Sequence, residues 1–280
     1  EKVPSPSLVN GLPPVIQVAT GLDTTCAVGQ DQILSCWGAD NYGQTGQVQG
    51  AQTRSLPSQV PGLTGVTQVA MWSRTVCAVT GAGQLYCWGD NRQGQVGDGT
   101  RGSGANQGAW EPVLVRFNDQ GLQPAVRRVD TGGEHVCAEL LDQSLYCWGR
   151  NSEGQLGDTT NTRRLTPTIV GAFSHLVDFN LGLYHTCVVN RTAEGEGSGT
   201  ARCVGWGLYG QLGDGLSRNQ RVSVPVIHLP DVKEMALTRY GSCALADDGQ
   251  AFCWGYSGQC NLGGNSDLDE WIPGLMLPIH

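Results

Sequence analysis

The stretch CWGRNSEGQLGD at residues 147–158 recurs along the chain with small changes. Residues 87–98 read CWGDNRQGQVGD and residues 203–214 read CVGWGLYGQLGD. The constant part is Cys-Trp-Gly, four variable residues and Gly-Gln-x-Gly, although the third of these copies has Val204 in place of Trp. Five such stretches begin at Cys36, Cys87, Cys147, Cys203 and Cys253. A unit that recurs every 50 to 60 residues predicts a repeat architecture.

Each copy has the pattern of about four short strands. In the second copy, TVCAV at 75–79 and QLYCWG at 84–89 flank a short polar turn, which is typical of a β-hairpin. A segment with proline follows, and proline suits an edge strand. Four-stranded units with this period predict an all-β fold, a single β-propeller domain spanning 1–280 with five blades. The repeat cores lie near 16–60, 67–115, 127–170, 177–227 and 233–275.

These residues closely resemble the regulator of chromosome condensation repeat family, and the resemblance covers essentially the whole chain. It implies a propeller, usually of seven blades, whereas only five repeat cores are present here. A Pro-x-x-Val-like element nevertheless occurs six times, beginning with PSLV at 6–9. We expect five closed blades with one surplus strand. A part of a larger ring, or pairing of the surplus strand with a neighbouring molecule, are the alternatives.

The cysteines predict one disulfide within each blade. Four pairs have nine residues between partners, and the fourth pair of the chain has a longer Gly-rich hairpin tip. Opposed residues of a hairpin bring Cα atoms close enough for a disulfide. Zinc is the competing interpretation, but local pairs spread around a ring cannot converge on one ion. The predicted pairs are Cys26–Cys36, Cys77–Cys87, Cys137–Cys147, Cys187–Cys203 and Cys243–Cys253.

Five disulfides indicate an oxidising compartment, so we expect an extracellular or cell-surface protein. Cys260 is left without a local partner, as a free thiol or as one end of an intermolecular bridge. The sequon that begins at Asn190 is a possible glycosylation site. Because the chain starts at Glu1 without a signal peptide, it is expected to be a mature or excised segment. These features disfavour the nuclear role of the best-known family members.

Composition excludes several classes of partner. The net charge is −8, and only two of the 17 basic residues are lysines, so no basic patch for nucleic acid is predicted. No apolar run is long enough for a membrane helix, so direct membrane insertion is not expected.

Motifs of catalysis or cofactor binding have simpler structural explanations. The Asp-Thr-Gly at 130–132 matches an aspartic-protease motif, but that mechanism needs a second carboxylate of this kind. His135 and His185 occupy one column of the repeat, where hydrogen bonding between strands is favoured over a metal site shared with Glu134. Asp residues recur after the Gly-Gln-x-Gly turn, where capping of backbone N–H groups is favoured over calcium binding; these are Asp98, Asp158 and Asp214. We therefore predict no enzyme activity, no cofactor and no metal site.

Variable loop positions predict a partner-binding face. The loops that precede the first cysteine of each copy emerge on one side of a propeller, and here they carry Trp, Tyr and Arg, residues enriched in binding hot spots. An insertion at 100–110 adds Trp110. The predicted contact residues are Asp23, Trp72, Arg74, Trp110, Glu134, Tyr184, Arg239 and Tyr240. A second variable set follows Cys-Trp-Gly, at Asn41-Tyr42, Arg92-Gln93, Ser152-Glu153, Leu208-Tyr209 and Gly258-Gln259.

The loop column is similar to that of the secreted propeller-type β-lactamase inhibitor, whose aromatic loop residues bind its target enzyme. The paired cysteines are not shared with that inhibitor. We expect an extracellular, non-catalytic module that binds a macromolecule, most simply a protein. The alternatives are a secreted enzyme inhibitor, a propeller that binds carbohydrate such as a cell-surface glycan, and a structural unit that self-associates by strand exchange.

Overall fold

The computed structural model describes residues 5–48, 53–103, 107–117, 123–170, 175–191, 198–256 and 270–275. Within these ranges the chain forms twenty strands and no helix, arranged as five antiparallel four-stranded sheets. In every sheet the strands follow one another in chain order. This confirms five blades, each built from one copy of the repeat.

The strands are numbered in chain order, four to a blade. Blade one contains β1 (Val15–Thr20), β2 (Thr24–Gly29), β3 (Leu34–Ala39) and β4 (Thr53–Gln59). Blade two contains β5 (Val66–Trp72), β6 (Thr75–Thr80), β7 (Leu85–Asp90) and β8 (Gly108–Leu114). Blade three contains β9 (Val126–Thr131), β10 (His135–Leu140), β11 (Leu145–Gly149) and β12 (Arg164–Ile169).

The last two blades continue the same pattern. Blade four contains β13 (Leu176–Leu181), β14 (His185–Asn190), β15 (Thr200–Gly205) and β16 (Gln220–Pro225). Blade five contains β17 (Val232–Leu237), β18 (Gly241–Ala246), β19 (Ala251–Gly255) and β20 (Glu270–Leu275).

All five predicted disulfides are present. In each blade the two cysteines lie directly opposite each other on the second and third strands, as Cys137 and Cys147 do on β10 and β11. Their Cα atoms are 4.1 Å apart in every pair. The hairpin pattern of the sequence therefore predicted both the register and the pairing.

The repeated Gly-Gln-x-Gly turn joins consecutive blades. The Gln95 side chain accepts a hydrogen bond from the Gln93 backbone N–H (2.7 Å), which closes the turn. The Gln95 carbonyl accepts the indole N–H of Trp148 in the next blade (2.7 Å). Trp148 is fully buried. Gly97 has φ +77° and lies against the indole of Trp148, so a side chain on residue 97 would clash with the ring. The turn therefore needs glycine at this position.

Hydrophobic cores form between consecutive blades. From the second blade onward, the first strand of each blade packs against the first strand of the preceding blade, and β5, β9 and β17 also pack against its second strand. In the described residues, four such cores join blades one to two, two to three, three to four and four to five. No comparable packing joins blade five to blade one there. The expectation that five blades close into a ring therefore finds no support in the described residues.

The first strand of the chain shows the same lack of a neighbour. Val18 on β1 is 57% exposed, whereas Val69 and Val129, at the equivalent positions of β5 and β9, are 1% and 2% exposed. Trp37 is partly exposed, although its counterparts Trp88 and Trp148 are buried. In the described residues the five blades thus form an arc in which the apolar face of β1 is left uncovered.

The surplus proline element at the N-terminus does not form a strand. Pro6–Val9 lies outside the twenty strands, and Leu8 is largely exposed. The five other elements of this type supply the outer strands of the blades, β4, β8, β12, β16 and β20. Strand exchange through the surplus element stays a prediction.

Candidate partner-binding face

Both variable sets of loops lie on the same side of the arc, apart from Gly258-Gln259, which lie outside the described residues. Within each blade the second and third strands are antiparallel, so the start of one lies beside the end of the other, as Thr24 pairs with Gly38. The loop before the second strand and the loop after the third strand are therefore neighbours. Side chains from these two loops, and from adjacent blades, meet on what we call the loop face.

Five aromatic side chains form a contiguous cluster at blades four and five. Neighbouring ring centroids are 5.0 to 6.0 Å apart, mostly in edge-to-face or tilted arrangements. Such aromatic pairs stabilise each other beyond the area they bury. The rings are only partly buried, so the cluster remains open to a partner. This aromatic cluster consists of Tyr184, Trp206, Tyr209, Tyr240 and Tyr256.

Cations border the cluster and extend across blades one to three. The guanidinium groups of Arg74 and Arg92 both lie over the ring of Tyr42, at 5.1 and 5.0 Å from its centroid. Arg92 also forms a 2.6 Å ion pair with Asp90. Hydrogen bonding to Asp90 raises the pKa of Arg92, which is therefore permanently charged.

Arg150 connects the charged part of the loop face to the aromatic part. It forms ion pairs with Glu134 (2.8 Å) and Glu153 (2.9 Å), and its guanidinium lies 4.4 Å from the centroid of Tyr184. Burial opposes its charge, but hydrogen bonds to the two glutamates outweigh this and raise its pKa. Burial also raises the pKa of Tyr184, which keeps the phenol neutral. On the far side Arg239 lies over Tyr240 at 5.0 Å.

The structure brings together most of the predicted contact residues. Arg74, Glu134, Tyr184, Arg239 and Tyr240 all take part in the ring stacks and ion pairs of the loop face. No ring contact or ion pair of Asp23, Trp72 or Trp110 is seen among the described residues. Asp23 lies in an exposed loop, Trp72 ends β5, and Trp110 lies half-buried in the outer strand β8.

Several residues of the loop face were not among the predicted contacts. Tyr42, Arg92 and Tyr209 belong to the second variable set, and the antiparallel pairing within a blade could have placed them beside the first set. Trp206 is the tryptophan that the fourth copy carries two residues after its Val204. Moving this side chain by two residues takes it out of the inter-blade core and onto the loop face.

The other sequence candidates have structural roles. His135 Nε2 is 2.9 Å from the Thr186 hydroxyl and His185 Nε2 is 3.0 Å from the Ser242 hydroxyl, so both histidines join neighbouring blades. Asp130 accepts backbone N–H bonds from Thr131 and from Leu181 of the next blade, both 2.8 Å. Burial raises the pKa of Asp130 to about 7, against the effect of these hydrogen bonds.

The aspartates after the turn cap backbone N–H groups. Asp98, Asp158 and Asp214 each accept a hydrogen bond from the N–H two residues later, at 2.9, 3.0 and 3.1 Å. Among the described residues, no cluster of three or more His, Cys, Asp or Glu could hold a metal ion. In the same part of the chain there is no helix of sufficient length and apolarity to cross a bilayer. Asn190 ends β14 and is partly exposed, whereas Cys260 lies outside the described residues.

Comparison with known proteins agrees with this architecture. A family model described as the regulator of chromosome condensation (RCC1) repeat matches residues 82–138 and 142–189, and a second model with this description matches 66–95 and 126–155. The ultraviolet-B receptor UVR8 of Arabidopsis thaliana is 28% identical over 283 residues, which cover 98% of this chain and 61% of that protein. The human regulator of chromosome condensation is 28% identical over 279 residues, covering 94% and 65%.

A solved structure shows the same fold. Prp20p from Saccharomyces cerevisiae superimposes with a TM-score of 0.81 at 18% identity, over 94% of this chain and 63% of that one. The chain thus spans less than two thirds of the length of each of these three proteins. Together the repeat signature and the family models show that the chain contains RCC1-type repeats within residues 66–189, and the superposition shows that it has a β-propeller fold.

Proposed function

We propose that the chain is a non-catalytic binding module that acts outside the reducing cytosol and recognises a protein through its loop face. The observation that carries this proposal is the partly exposed aromatic cluster, in which five rings contact one another at the boundary of blades four and five. Aromatic residues and arginines anchored in pre-formed contacts are the typical composition of a protein-binding hot spot.

The pre-organisation of the loop face supports binding. Four arginines on this face lie over aromatic rings, and Arg150 is also held by two carboxylates. Side chains that are fixed before binding lose less conformational entropy when a partner arrives. The aromatic cluster offers an apolar anchor, and the Arg and Glu groups beside it would select a partner surface of complementary charge.

The relatives support protein binding in general. Prp20p was described together with its binding to Gsp1p and histones, which shows that a propeller of this fold can bind proteins. The five disulfides support an oxidising compartment, because disulfides persist mainly outside the cytosol. A secreted or cell-surface protein is the simplest form of this proposal.

The test uses the intact chain as bait in the extracellular fluid of its source, followed by affinity measurement with the protein that is captured. We expect Trp206→Ala and Tyr240→Ala to weaken binding by about 30-fold or more, the loss typical of a hot-spot side chain. Leu141→Ala is the matched control, because this exposed apolar residue lies at the β10–β11 hairpin, on the side opposite to the loop face. It should bind as the unaltered chain does.

Two results would contradict the proposal. Wild-type affinity in both loop-face variants, with a loss in Leu141→Ala, would place the contact on the other side. Binding to glycans on an array, abolished by Trp206→Ala, with no captured protein, would assign the aromatic cluster to carbohydrate stacking.

A further inference from the structure

A cavity of about 180 Å³ lies between blades three and four. Its walls are mostly apolar and come from both blades. Blade three contributes Leu145, Leu156 and Val170, and blade four contributes Val188 and Val204. Because these five side chains are all less than 7% exposed, the cavity belongs to the interior of the propeller.

The cavity lies where the other described inter-blade boundaries place a tryptophan. Trp88, Trp148 and Trp254 are fully buried between their own blade and the preceding one. Each donates its indole N–H to a Gln carbonyl of the preceding blade, at 3.1, 2.7 and 2.9 Å. At the boundary of blades three and four the corresponding residue is Val204, which is smaller and cannot donate a hydrogen bond.

The glycine that contacts the indole elsewhere lines this cavity. A Cβ on Gly97 would lie 2.7 Å from the indole nitrogen of Trp148, and one on Gly213 would lie 2.8 Å from that of Trp254. At Gly157 the same Cβ would lie 3.4 Å from Val204, and Gly157 lines the cavity. The boundary of blades three and four therefore has the same free space beside its glycine, but no indole ring fills it.

The hydrogen-bond acceptor for an indole is also retained. At the next boundary the Gln211 carbonyl accepts two hydrogen bonds, from the Ser242 hydroxyl (2.8 Å) and from the Trp254 indole (2.9 Å). The Gln155 carbonyl accepts the equivalent hydroxyl bond from Thr186 (2.8 Å). Since a carbonyl oxygen has two lone pairs, Gln155 keeps the capacity that Gln211 uses for the indole N–H.

The cavity reaches the surface beside the outer strand of blade four. Val222 lines it and is 57% exposed. Arg202 and Ser223, which also line it, are partly exposed and hydrogen-bonded to each other, with Arg202 Nη2 2.5 Å from the Ser223 carbonyl. A small molecule can therefore pass a polar rim and reach an apolar interior, which is the usual arrangement of a ligand site.

We propose that this cavity binds a planar aromatic molecule of indole size that carries one N–H group. An apolar cavity of about 150 Å³ is known to bind benzene, so a space of this volume suits a small aromatic ring system. The ligand would occupy the position of the absent tryptophan ring and donate its N–H to the Gln155 carbonyl. This site is separate from the loop face and does not depend on the function proposed for it.

The test adds indole to the intact, disulfide-bonded chain. We expect intermolecular nuclear Overhauser effects between indole protons and the methyl groups of Leu156 and Val204, together with a rise in Tm as indole is increased. 1-Methylindole, which lacks the N–H, should bind about fivefold more weakly, as expected for the loss of one hydrogen bond. The Val204→Trp variant, which restores the ring found at the other boundaries, should lose indole binding at least tenfold.

The controls separate this cavity from the aromatic cluster. Tyr240→Ala changes the loop face alone and should leave indole affinity unchanged. Val188→Phe fills the cavity from another wall and should abolish binding if Val204→Trp does not fold. The proposal is overturned if indole gives no Overhauser effects with the cavity methyl groups up to its solubility limit. It is equally overturned if Val204→Trp or Val188→Phe binds as the unaltered chain does.

Discussion

At the scale of residues, two buried histidines join blades through hydroxyl groups. The Thr186 hydroxyl donates its hydrogen to the Gln155 carbonyl (2.8 Å), so it must accept from His135, whose Nε2 therefore carries the proton. His185, Ser242 and Gln211 repeat this chain at the next boundary. The Nδ1 atoms of both histidines are buried without a hydrogen-bond partner in the described structure. A second proton on either ring would have no acceptor.

This arrangement predicts a loss of stability in acid. Burial lowers the pKa of both His135 and His185 to about 3, whereas an unfolded histidine titrates near 6.5. Their contribution to stability is fully present above pH 6.5 and is lost as the pH falls towards 3, by about 1.4 kcal/mol per pH unit for each histidine. Urea unfolding between pH 7.5 and 5 should therefore show a smaller acid effect for His135→Gln/His185→Gln than for the unaltered chain.

Asp130 has the opposite effect on the pH dependence of stability, and it is present both in the unaltered chain and in the His135→Gln/His185→Gln variant. Because burial raises the pKa of Asp130, its carboxylate costs stability as the pH rises from about 4 to 7. The difference between the two proteins isolates the histidines. An equal dependence on pH in both proteins would show that the imidazoles are protonated in the folded state.

At the scale of elements, the blade is the unit that the sequence specifies most completely. The cysteine spacing predicted the central hairpin because opposed residues on two antiparallel strands can form a disulfide without moving the backbone. The loop positions were predictable for a different reason: when the repeats are aligned on their constant residues, the positions that vary between copies become visible. The grouping of Tyr42 with Arg74, and of Trp206 with Tyr240, was not predicted, because it depends on how neighbouring blades are rotated against each other.

The blade disulfides should stabilise the fold to a similar extent in each blade. Removing the middle one, with Cys137→Ala/Cys147→Ala, frees a ten-residue hairpin and should lower the free energy of unfolding by about 3 kcal/mol. Both cysteines are fully buried, so alanine leaves small cavities but no unpaired polar group. The measurement is urea unfolding monitored by tryptophan fluorescence.

Thiol counting gives the accompanying control. Alkylation of the unaltered chain without reduction should modify at most Cys260, and after reduction it should modify all eleven cysteines. Ten or eleven reactive thiols before reduction would contradict the pairing and, with it, the inferred oxidising compartment.

At the scale of the whole molecule, the repeat count and the curvature are separate properties. The sequence contains five repeat cores, and the structure has five blades, as predicted. Closure of a ring depends on the angle between consecutive blades. Side-chain packing at the four boundaries between blades sets this angle, so the sequence of a single repeat does not determine it. The apolar face of β1 therefore stays uncovered in the described structure, while the same columns of β5, β9, β13 and β17 are buried.

The uncovered face of β1 gives a prediction with a matched pair of residues. Val129→Ala removes two methyl groups from a packed boundary and should lower the free energy of unfolding by about 2 kcal/mol. Val18→Ala makes the same change in the same column of the repeat, but Val18 is 57% exposed, so the expected loss is within about 0.5 kcal/mol. Urea midpoints of the two variants, measured side by side on monomeric protein, provide the comparison.

The same pair of variants distinguishes an open arc from a closed ring. In a ring, the fifth blade would cover β1, and Val18 would be packed as tightly as Val69 and Val129 are. The two substitutions would then cost equal amounts of free energy, and an equal loss would refute the open arc. If the loss at Val18 is small in the monomer and grows with protein concentration, a second copy of the chain covers β1, since association stabilises the folded state by mass action.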